Sequence, residues 1–521
     1  MSRKITYLLC LLVIACVLTS PGNMSAQKTV APKQAWVEGE LLVKFRTAGD
    51  SFAAKSANEK VGASLIETLG DANWQRVRLP NGLAVTDAIA SYKALDEVEF
   101  VQPNFYYHLL ATPNDPQFTS TGMYGLAKIS APAAWDLSTG SSSVVVADID
   151  TGMLYTHQDL APNAWVNAGE IAGNGVDDDG NGFADDVNGW DFFYNDSNPI
   201  DDAGGHGTHT AGTIGAAGNN SLNVVGVNWN VKIMPIKIYS PAGTDSTSSM
   251  LVNAYAYVRM MKLRGVNIRA TNNSYGNCGE ACGYDQATKD GIDAMGDAGI
   301  VNVFAAGNDN NNNDTNPGIS YPSVYTSPSI ISVAASDSLD AKASFSSYGL
   351  ISVDLAAPGV GVLSTCNGSI SSTCGKSGTS MATPHTTGAV ALLAAFNPNL
   401  SVASLKATIL NTVDPLAAWT TLVRTGGRLN IDRALRNQTV CSFPTSINVG
   451  TKGGIVSVNL SPGQNCDYQM RSNSNWIKIT SADTMSGNGT LTFRVSVNPT
   501  ISRTGTISIG GQAFTVTQQR N

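Results

Sequence analysis

Three short motifs, far apart in the chain, carry a serine, a histidine and an aspartate that could act together in acyl transfer. Ser380 lies between a glycine-rich turn and an apolar helical run, His206 opens another such run, and Asp150 ends an apolar strand. In such a set the serine attacks, the histidine takes its proton, and the buried acid orients the imidazole. A hydroxyl at a helix N-terminus also lies near free backbone N–H groups that favour developing negative charge.

The motifs around these residues resemble those of the subtilase family, the subtilisin-like serine proteases. The resemblance covers about residues 113–435 and rests on Asp-Thr-Gly at 150–152, Gly-His-Gly-Thr-His at 205–209 and Gly-Thr-Ser-Met-Ala-Thr-Pro-His at 378–385. The order Asp, His, Ser is also that of the family. The resemblance implies a serine endopeptidase of broad specificity that forms an acyl-enzyme intermediate and needs no catalytic cofactor.

The same resemblance assigns residues that would hold the substrate. Asn308 would donate to the oxyanion, and an extended peptide would pair with Ser274, Tyr275 and Gly276. Ser320 would lie at the floor of the primary specificity pocket. Three other histidines have structural roles in this interpretation: His157, His209 and His385. A rival hypothesis is a catalytically silent subtilase scaffold that acts as a glycan- or surface-binding module, and the intact catalytic motifs favour the enzyme.

The N-terminus has the pattern of a secretory signal. Arg3 and Lys4 precede an apolar run over residues 5–18, and small residues end at Ala26, after which we predict cleavage. A lipoprotein-like box ending at Cys16 offers the alternative of a lipid-anchored product. The net charge of −8 argues against nucleic acid as a partner. We therefore expect a secreted protein without an integral membrane segment in its mature form.

Residues 27–110 indicate a small α+β unit that resembles the inhibitory propeptide of subtilases. A strand is expected at 40–45, a helix at 84–95 and a further strand at 98–104. The resemblance implies a zymogen that is inhibited by its own propeptide and cleaves itself near Leu110. Protein or peptide substrates would then be the partners of the mature enzyme.

Between residues 111 and 437, apolar β-rich runs alternate with helical patterns. This alternation predicts an α/β fold with a parallel sheet covered on both faces. Active residues of such sheets gather at the carboxyl ends of the strands, where Asp150 is expected. The predicted strands are 144–149, 231–238, 266–271, 300–305 and 330–335, and the predicted helices are 209–217, 247–263, 285–298, 383–396 and 402–412.

Residues 438–521 change character and indicate an antiparallel β-sandwich of short alternating strands. The predicted strands are 455–460, 491–497, 505–509 and 513–516. This tail resembles the BACON domain, a sandwich associated with carbohydrate or mucin binding. Trp476 is either a core residue, which is the commoner role, or a sugar-stacking platform that must be exposed. We expect the tail to fold by itself and to be dispensable for hydrolysis of a short peptide.

Six cysteines lie beyond the signal, an even number in an exported chain. The sequence does not fix their pairing, and three short local loops are the simplest choice. The six are Cys278, Cys282, Cys366, Cys374, Cys441 and Cys466.

Acid- and amide-rich segments predict structural calcium. The resemblance implies one site formed by Asp159, Gly218, Asn220, Leu222 and Val224. Two further loops are weaker candidates for calcium sites. Tyr194 replaces an acid in one of them, and Asn188 replaces the glutamate of an EF-hand-type loop in the other. Their candidate ligands are Asp191 and Asp196 in the first loop, and Asp177, Asp179 and Asn181 in the second, for which a solvated turn is the alternative. The asparagine tract 310–313 is predicted to be an exposed loop.

Overall fold

The computed structural model describes residues 36–47, 51–70, 73–106, 112–118, 121–244, 246–276, 283–463, 466–498 and 501–519. The predicted signal, the expected cleavage position near Leu110, and Cys278 and Cys282 all lie outside these residues. Among the described helices, none is long and apolar enough to cross a membrane.

The first compact unit, Met1–Tyr107, is the predicted small α+β domain. Its described strands form an antiparallel sheet in the order β2-β3-β1-β4. The first helix begins where the Ser51 hydroxyl accepts from the Ala54 N–H, and it ends at Gly62 in the left-handed conformation. The elements are β1 (Trp36–Phe45), α1 (Phe52–Val61), β2 (Ser64–Leu69), β3 (Trp74–Arg78), α2 (Val85–Lys93) and β4 (Val98–Phe105).

The second unit, His108–Asn521, contains the predicted α/β domain. In the described part, the sheet order is β14-β15-β11-β10-β9-β8-β5-β7-β6, and only the β14–β15 pairing is antiparallel. The strands of this domain are β5 (Gly140–Asp150), β6 (Trp190–Asp191), β7 (Asn230–Lys237), β8 (Ile268–Asn273), β9 (Val301–Ala305), β10 (Ile330–Ser336), β11 (Leu355–Pro358), β12 (Val362–Thr365), β13 (Thr373–Lys376), β14 (Asp414–Pro415) and β15 (Gly427–Arg428). The helices are α3 (Tyr124–Lys128), α4 (Ala131–Trp135), α5 (His206–Gly215), α6 (Ser248–Leu263), α7 (Gln286–Asp297), α8 (Thr379–Phe396), α9 (Val402–Asn411) and α10 (Ile431–Arg436).

Strand β5 explains why the sheet is covered on both faces. Its residues from Val144 to Asp150 are all buried, and alternate side chains belong to different parts of the core. Val145 and Ile149 pack with residues of α6 and α7, whereas Val146 packs with residues of α5 and α8. Asp150 comes four residues after Val146 on the strand, so its side chain lies on the same face of the sheet, which is the face covered by α5.

Two helices begin earlier than predicted, and both changes affect candidate catalytic residues. Helix α5 begins at His206 rather than His209, and α8 begins at Thr379 rather than Thr383. Pro384 lies inside α8, although proline is usual in a first turn, and Ser380 is in the first turn of the helix.

The tail forms the predicted sandwich, with one parallel pairing that the prediction missed. Its sheets have the orders β16-β23-β22-β18-β20 and β17-β21-β19, and β16 runs parallel to β23. The strands are β16 (Ser446–Val449), β17 (Gly454–Leu460), β18 (Asp467–Ser472), β19 (Ile477–Ile479), β20 (Thr484–Ser486), β21 (Gly489–Val495), β22 (Arg503–Ile509) and β23 (Gln512–Gln518). Within the described residues, two of the expected local disulfides form, Cys366–Cys374 and Cys441–Cys466.

Trp476 does not present a free aromatic face. The ring is partly buried against the sandwich core, and the Arg503 guanidinium lies 4.2 Å from the ring centroid. A side chain at Gly505 would lie 2.7 Å from the ring, so the backbone of β22 also packs closely against it. The exposure required of a sugar-stacking platform is therefore not met.

The sandwich shares its core and its charges with the peptidase domain, and its ability to fold by itself stays a prediction. Ala403 and Ala407 of α9 belong to the sandwich core. Asp467, at the start of β18, accepts from Arg424 at 2.7 and 3.0 Å and pairs with Lys406 at 3.1 Å. These side chains are mostly buried, so their charges depend on one another for compensation.

We predict that Asp467→Ala lowers the free energy of unfolding by about 3 kcal/mol, because it leaves the buried ammonium of Lys406 unpaired. Burial opposes ionisation of Asp467, but Lys406 and Arg424 outweigh it and lower the pKa of Asp467. The stabilisation that ionised Asp467 provides is therefore complete above the pKa of about 4 that this carboxyl has in the unfolded chain. It is lost as the pH falls below that value. Urea unfolding of inhibitor-blocked protein measures both effects.

The matched control for this prediction is Asp483→Ala, which removes an exposed acid of the same domain. Equal stability of the two variants at neutral pH would contradict a stabilising role for the interface.

Candidate active site

The carboxyl end of β5 meets the N-terminus of α5. His206 Nδ1 lies 2.6 Å from Asp150 Oδ1, which also accepts from the Thr151 N–H at 2.7 Å. Asp150 is buried, whereas the imidazole is 32% exposed. A carboxylate only accepts, so Nδ1 carries the proton and Nε2 is free to act as a base. Partial desolvation lowers the pKa of His206, but Asp150 outweighs this through charge and hydrogen bonding and raises it.

The turn that follows Asp150 is packed tightly against the start of α5. A side chain at Gly207 would lie 2.1 Å from the Gly152 carbonyl, so only glycine allows this approach. Asp201, which sequence reasoning missed, is buried and accepts from Thr151 Oγ1 at 3.1 Å and from the N–H of Thr208 at 2.9 Å. It therefore ties the turn to the helix that carries His206. Its spacing from the histidine matches no motif that could have identified it.

Ser380 is held by a reciprocal pair of hydrogen bonds. Its hydroxyl donates to the Ser274 carbonyl at 3.0 Å, and the Ser274 hydroxyl donates to the Ser380 carbonyl at 3.0 Å. Pro384 has no N–H to offer the Ser380 carbonyl four residues earlier, so the Ser274 hydroxyl supplies the missing donor. Lys376 Nζ donates to the Gly204 carbonyl at 3.1 Å and connects this segment to the histidine loop.

Asn308 is oriented by Thr379. Its Oδ1 accepts from the Thr379 N–H at 2.8 Å and lies 3.0 Å from the Thr379 hydroxyl. The oxygen is therefore occupied, and the amide nitrogen is left as a donor. A side chain at Gly378 would lie 3.6 Å from this Nδ2, which places the donor beside the turn that precedes Ser380.

Comparison with protein families matches residues 141–438 to the subtilase family. The chain belongs to this family. Thermitase from Thermoactinomyces vulgaris is 35% identical over 325 residues, which cover 62% of this chain and 99% of thermitase. The thermophilic serine proteinase from Bacillus sp. (strain AK1) is 32% identical, with 73% of this chain and 84% of that protein covered. The extracellular basic protease from Dichelobacter nodosus is 32% identical, with 67% and 58% covered.

The same comparison matches both flanking domains of this subtilase. Residues 22–104 match the fervidolysin N-terminal prodomain, and residues 442–520 match the viral BACON domain. The protein is thus a serine endopeptidase of the subtilase family with a prodomain and a C-terminal β-domain. The architecture predicted from sequence is confirmed at this level.

The predicted substrate segment of the protease lies beside an aromatic cavity of about 550 Å³. Tyr275 and Gly276 line it, together with Tyr239, Tyr284 and Tyr321. The Tyr275 hydroxyl donates to Asn273 Oδ1 at 2.8 Å, and hydroxyl side chains such as Thr247 and Thr288 share the lining with the tyrosines. The tyrosine rings provide apolar surface for a large side chain.

Ser320 is buried, and the asparagine tract holds it in place. Its hydroxyl donates to Asn313 Oδ1 at 2.8 Å, while Asn313 Nδ2 donates to the Ala306 carbonyl at 2.9 Å. Asn313 is 1% exposed, so the prediction of a merely exposed loop at 310–313 was wrong for this residue. A run of identical asparagines gives no periodic signal that separates the buried member from its exposed neighbours.

The three histidines that were predicted to be structural are buried and bond to backbone groups. His157 Nδ1 accepts from the Asp159 N–H, His209 Nε2 lies 2.9 Å from the Val362 carbonyl, and His385 Nδ1 lies 2.9 Å from the Met381 carbonyl. Burial lowers the pKa of His209 to about 3 and that of His385 to about 4. Both rings therefore stay neutral at physiological pH, which agrees with the predicted structural role.

Two buried carboxyl groups come together at the predicted principal calcium site. Asp159 accepts from Asn220 Nδ2 and from the Val224 N–H, both at 3.2 Å. Asp115, which was not among the predicted ligands, is 3% exposed and accepts from the Asn219 N–H at 2.7 Å. Burial raises the pKa of Asp115, and the nearby Asp159 carboxylate adds to the shift. The Oδ1 atom of Asp115 is buried without a hydrogen-bond partner, which is an arrangement that a cation would satisfy.

The two weaker candidate calcium loops differ in how their carboxylate groups are arranged. Glu170, Asp177 and Asp179 bring carboxylate oxygens within 4.8 Å of one another, although Asn181 turns its amide nitrogen toward Asp179 and Asp186. In the other loop, Asp191 accepts from the N–H groups of Phe193 and Tyr194, and burial raises its pKa to about 6. Asp196 accepts from the Asn198 N–H, and the Lys237 ammonium lies 5.9 Å from the Tyr194 ring centroid.

We predict that Asn308→Ala lowers kcat by about 10²–10³-fold, a magnitude known from subtilisin, through loss of one oxyanion donor. Thr379→Val should lower kcat about 5–10-fold with little change in KM, because the amide then loses one of its two anchors. Thr379→Ser, which keeps the hydroxyl, is the control. A Thr379→Val enzyme with unchanged kcat would contradict the positioning role of that hydroxyl.

Proposed function

We propose that Asp150, His206 and Ser380 are the catalytic triad of this endopeptidase. His206 Nε2 takes the proton of the Ser380 hydroxyl as Oγ attacks the scissile carbonyl, and Asp150 stabilises the resulting imidazolium. The same proton then passes to the leaving amine, and water hydrolyses the acyl-enzyme. The observation that carries the proposal is the 2.6 Å bond between His206 and the buried Asp150 carboxylate.

The oxyanion in this proposal is bound by Asn308 Nδ2 and the Ser380 N–H. The Ser380 amide lies in the first turn of α8, where N–H groups lack helical partners. The Ser380 hydroxyl, which donates to Ser274, turns to His206 when substrate binds. Donors fixed before the reaction need no rearrangement as charge develops, and this is the main electrostatic contribution to the rate.

Substrates in this proposal are extended peptides that pair with Ser274–Gly276 as an added strand. Main-chain hydrogen bonds of this kind are indifferent to sequence, so they support broad specificity. The aromatic cavity beside Tyr275 then adds a preference for a bulky apolar side chain.

We further propose that the protein is an exported zymogen that processes itself. The predicted signal supports export, and a relative from Dichelobacter nodosus is named an extracellular protease. The match of residues 22–104 to a prodomain supports synthesis as a precursor. Secretion also agrees with the two disulfides of the described chain.

Ser380→Ala tests the triad and self-processing together. We predict loss of about 10⁶ in kcat, the magnitude known from subtilisin, and a purified full-length chain that keeps its prodomain. Asn308→Ala, which retains the nucleophile, should still be trimmed, but slowly. Intact mass and hydrolysis of a chromogenic peptide are the measurements.

Two outcomes would contradict this assignment separately. Near-normal peptide hydrolysis by the Ser380→Ala variant would show that Ser380 is not the nucleophile. Trimming of purified Ser380→Ala with no other protease present would leave the triad intact and exclude self-processing.

Calcium, in this proposal, stabilises the protein and takes no part in the chemistry. Asp115 and Asp159 would supply carboxylate oxygens to the principal site, beside the loop that holds Asn220. The carbonyls assigned to Gly218, Leu222 and Val224 remain part of the same proposal. The cluster of Glu170, Asp177 and Asp179 is a second candidate, whereas the ammonium near Asp191 makes that loop a poorer one.

We predict that a chelator lowers the melting temperature of the inhibitor-blocked enzyme, since calcium at 100 times its Kd contributes about 2.7 kcal/mol. Asp115→Asn and Asp159→Asn should each reduce this calcium response. Asp290→Asn, on the exposed face of α7, should leave it unchanged. Identical melting curves of the parent enzyme with calcium and with chelator would rule out stabilisation by bound calcium.

The hypothesis that the tail binds glycan or mucin has less support than the protease assignment. Trp476 is covered by Arg503, and the tail is anchored to the peptidase domain by Asp467. We therefore propose that its main role is to stabilise the peptidase domain.

A further inference from the structure

A second buried aspartate lies two residues before Asp150 on β5. Asp148 is 2% exposed and, because side chains alternate along a strand, it faces α5 as Asp150 does. The mechanism above gives it no role. Burial of a carboxylate without a cation is unfavourable, so its protonation state and its contacts require an explanation.

The contacts of Asp148 indicate where its proton lies. Asn272 Nδ2 donates to Asp148 Oδ1 at 2.8 Å. Thr210 Oγ1 lies 2.9 Å from Asp148 Oδ2 and also 2.9 Å from the Gly207 carbonyl. A hydroxyl has one proton and a carbonyl can only accept. Both contacts are full hydrogen bonds only when Thr210 donates to Gly207 and a protonated Asp148 donates to Thr210.

The surroundings favour this neutral form. On the adjacent strands, Asp148 is paired with Pro235 of β7 and Asn272 of β8, which carry no charge. The charged groups whose interaction affects the pKa of Asp148 are Asp150 and His206 of the site itself. Burial raises the pKa of Asp148 well above its usual value, and the Asp150 carboxylate adds to the shift, against weaker lowering by its hydrogen bonds and His206. Lys237 of β7 is held by Asp202 at 2.6 Å.

A continuous hydrogen-bond chain leads from Asp148 to the nucleophile segment. Asn272 Nδ2 is also 3.1 Å from Ser274 Oγ, which donates to the Ser380 carbonyl. Thr387, on α8, donates to Asn272 Oδ1 at 3.0 Å and fixes the orientation of that amide. Asp148 therefore joins α5 on one side to β8 and α8 on the other.

We propose that Asp148 is a positioning residue that works as a neutral carboxylic acid. It donates to Thr210 on the histidine helix and accepts from Asn272 on the path to Ser380, so it aligns the two halves of the triad. As a neutral group it leaves Asp150 as the single negative charge beneath His206. The proposal rests on the triad assigned above.

The test is the pH dependence of kcat/KM for Asp148→Asn, measured on mature enzyme with a short peptide. An amide keeps a donor toward Thr210 and an acceptor toward Asn272. We expect kcat within about threefold of the parent and an acid-limb pKa that shifts by less than about 0.3 unit, because no charge is lost. A fall of that pKa by about one unit or more would show that Asp148 is normally ionised and overturn the proposal.

Asp148→Val tests positioning, because it stays uncharged and removes both hydrogen bonds. We expect kcat to fall at least about tenfold with the acid-limb pKa and KM little changed. A parent-like kcat in this variant would contradict the positioning role and show that Asp148 does not influence the site.

Infrared difference spectra give a measurement that does not require active enzyme. Full-length Ser380→Ala should show the C=O stretch of a protonated carboxylic acid at neutral pH, and Ser380→Ala with Asp148→Asn should lack it. Absence of this difference would overturn the neutral form, whatever the outcome for the triad. Conversely, failure of Ser380→Ala to abolish hydrolysis would refute the triad without changing this spectrum.

Discussion

The burial of one carboxylate at the end of a central strand is the constraint on which the site depends. Asp150 is almost completely buried, so its charge has to be stabilised locally, and the His206 Nδ1–H and the Thr151 N–H donate to its Oδ1 at 2.6 and 2.7 Å. The contact fixes the tautomer and aims Nε2 outward. It also requires close packing between the turn after β5 and the start of α5, which explains the glycine at 207 and the hydrogen bonds of Asp201.

The groups around Ser380 and Asn308 are held in a similar way, by hydrogen bonds to partners on other segments of the chain. Thr379 occupies the oxygen of Asn308, Asn313 links Ser320 to the strand before Asn308, and the Ser274 hydroxyl replaces the N–H that Pro384 lacks. Such contacts hold the donors in place before substrate arrives. At the far edge of the domain, Lys406 and Asp467 connect the C-terminal sandwich in a similar way, so the sandwich and the peptidase domain stabilise each other.

Much of this arrangement could be predicted from sequence, because local composition determines it. Continuous apolar strands gave the parallel sheet, and the motifs around Asp150, His206 and Ser380 gave the candidate triad in order. The start of α8 was predicted one turn late, and Pro384 lies inside the helix although proline is usual in a first turn. Asp115 and Asp201 were missed because partners such as Asn219 and Thr151 are distant in sequence. Asn313 was missed because a run of identical asparagines has no pattern that indicates which member will be buried. The contacts between the tail and α9 were hidden because they join residues that are far apart in sequence.

Covalent labelling of the processed protein with a fluorophosphonate, followed by peptide mapping, identifies the nucleophile directly. We expect one equivalent of label on Ser380, and almost none in His206→Ala, where the base that activates the hydroxyl is absent. Label on a different residue, or undiminished labelling of Ser380 without His206, would contradict it.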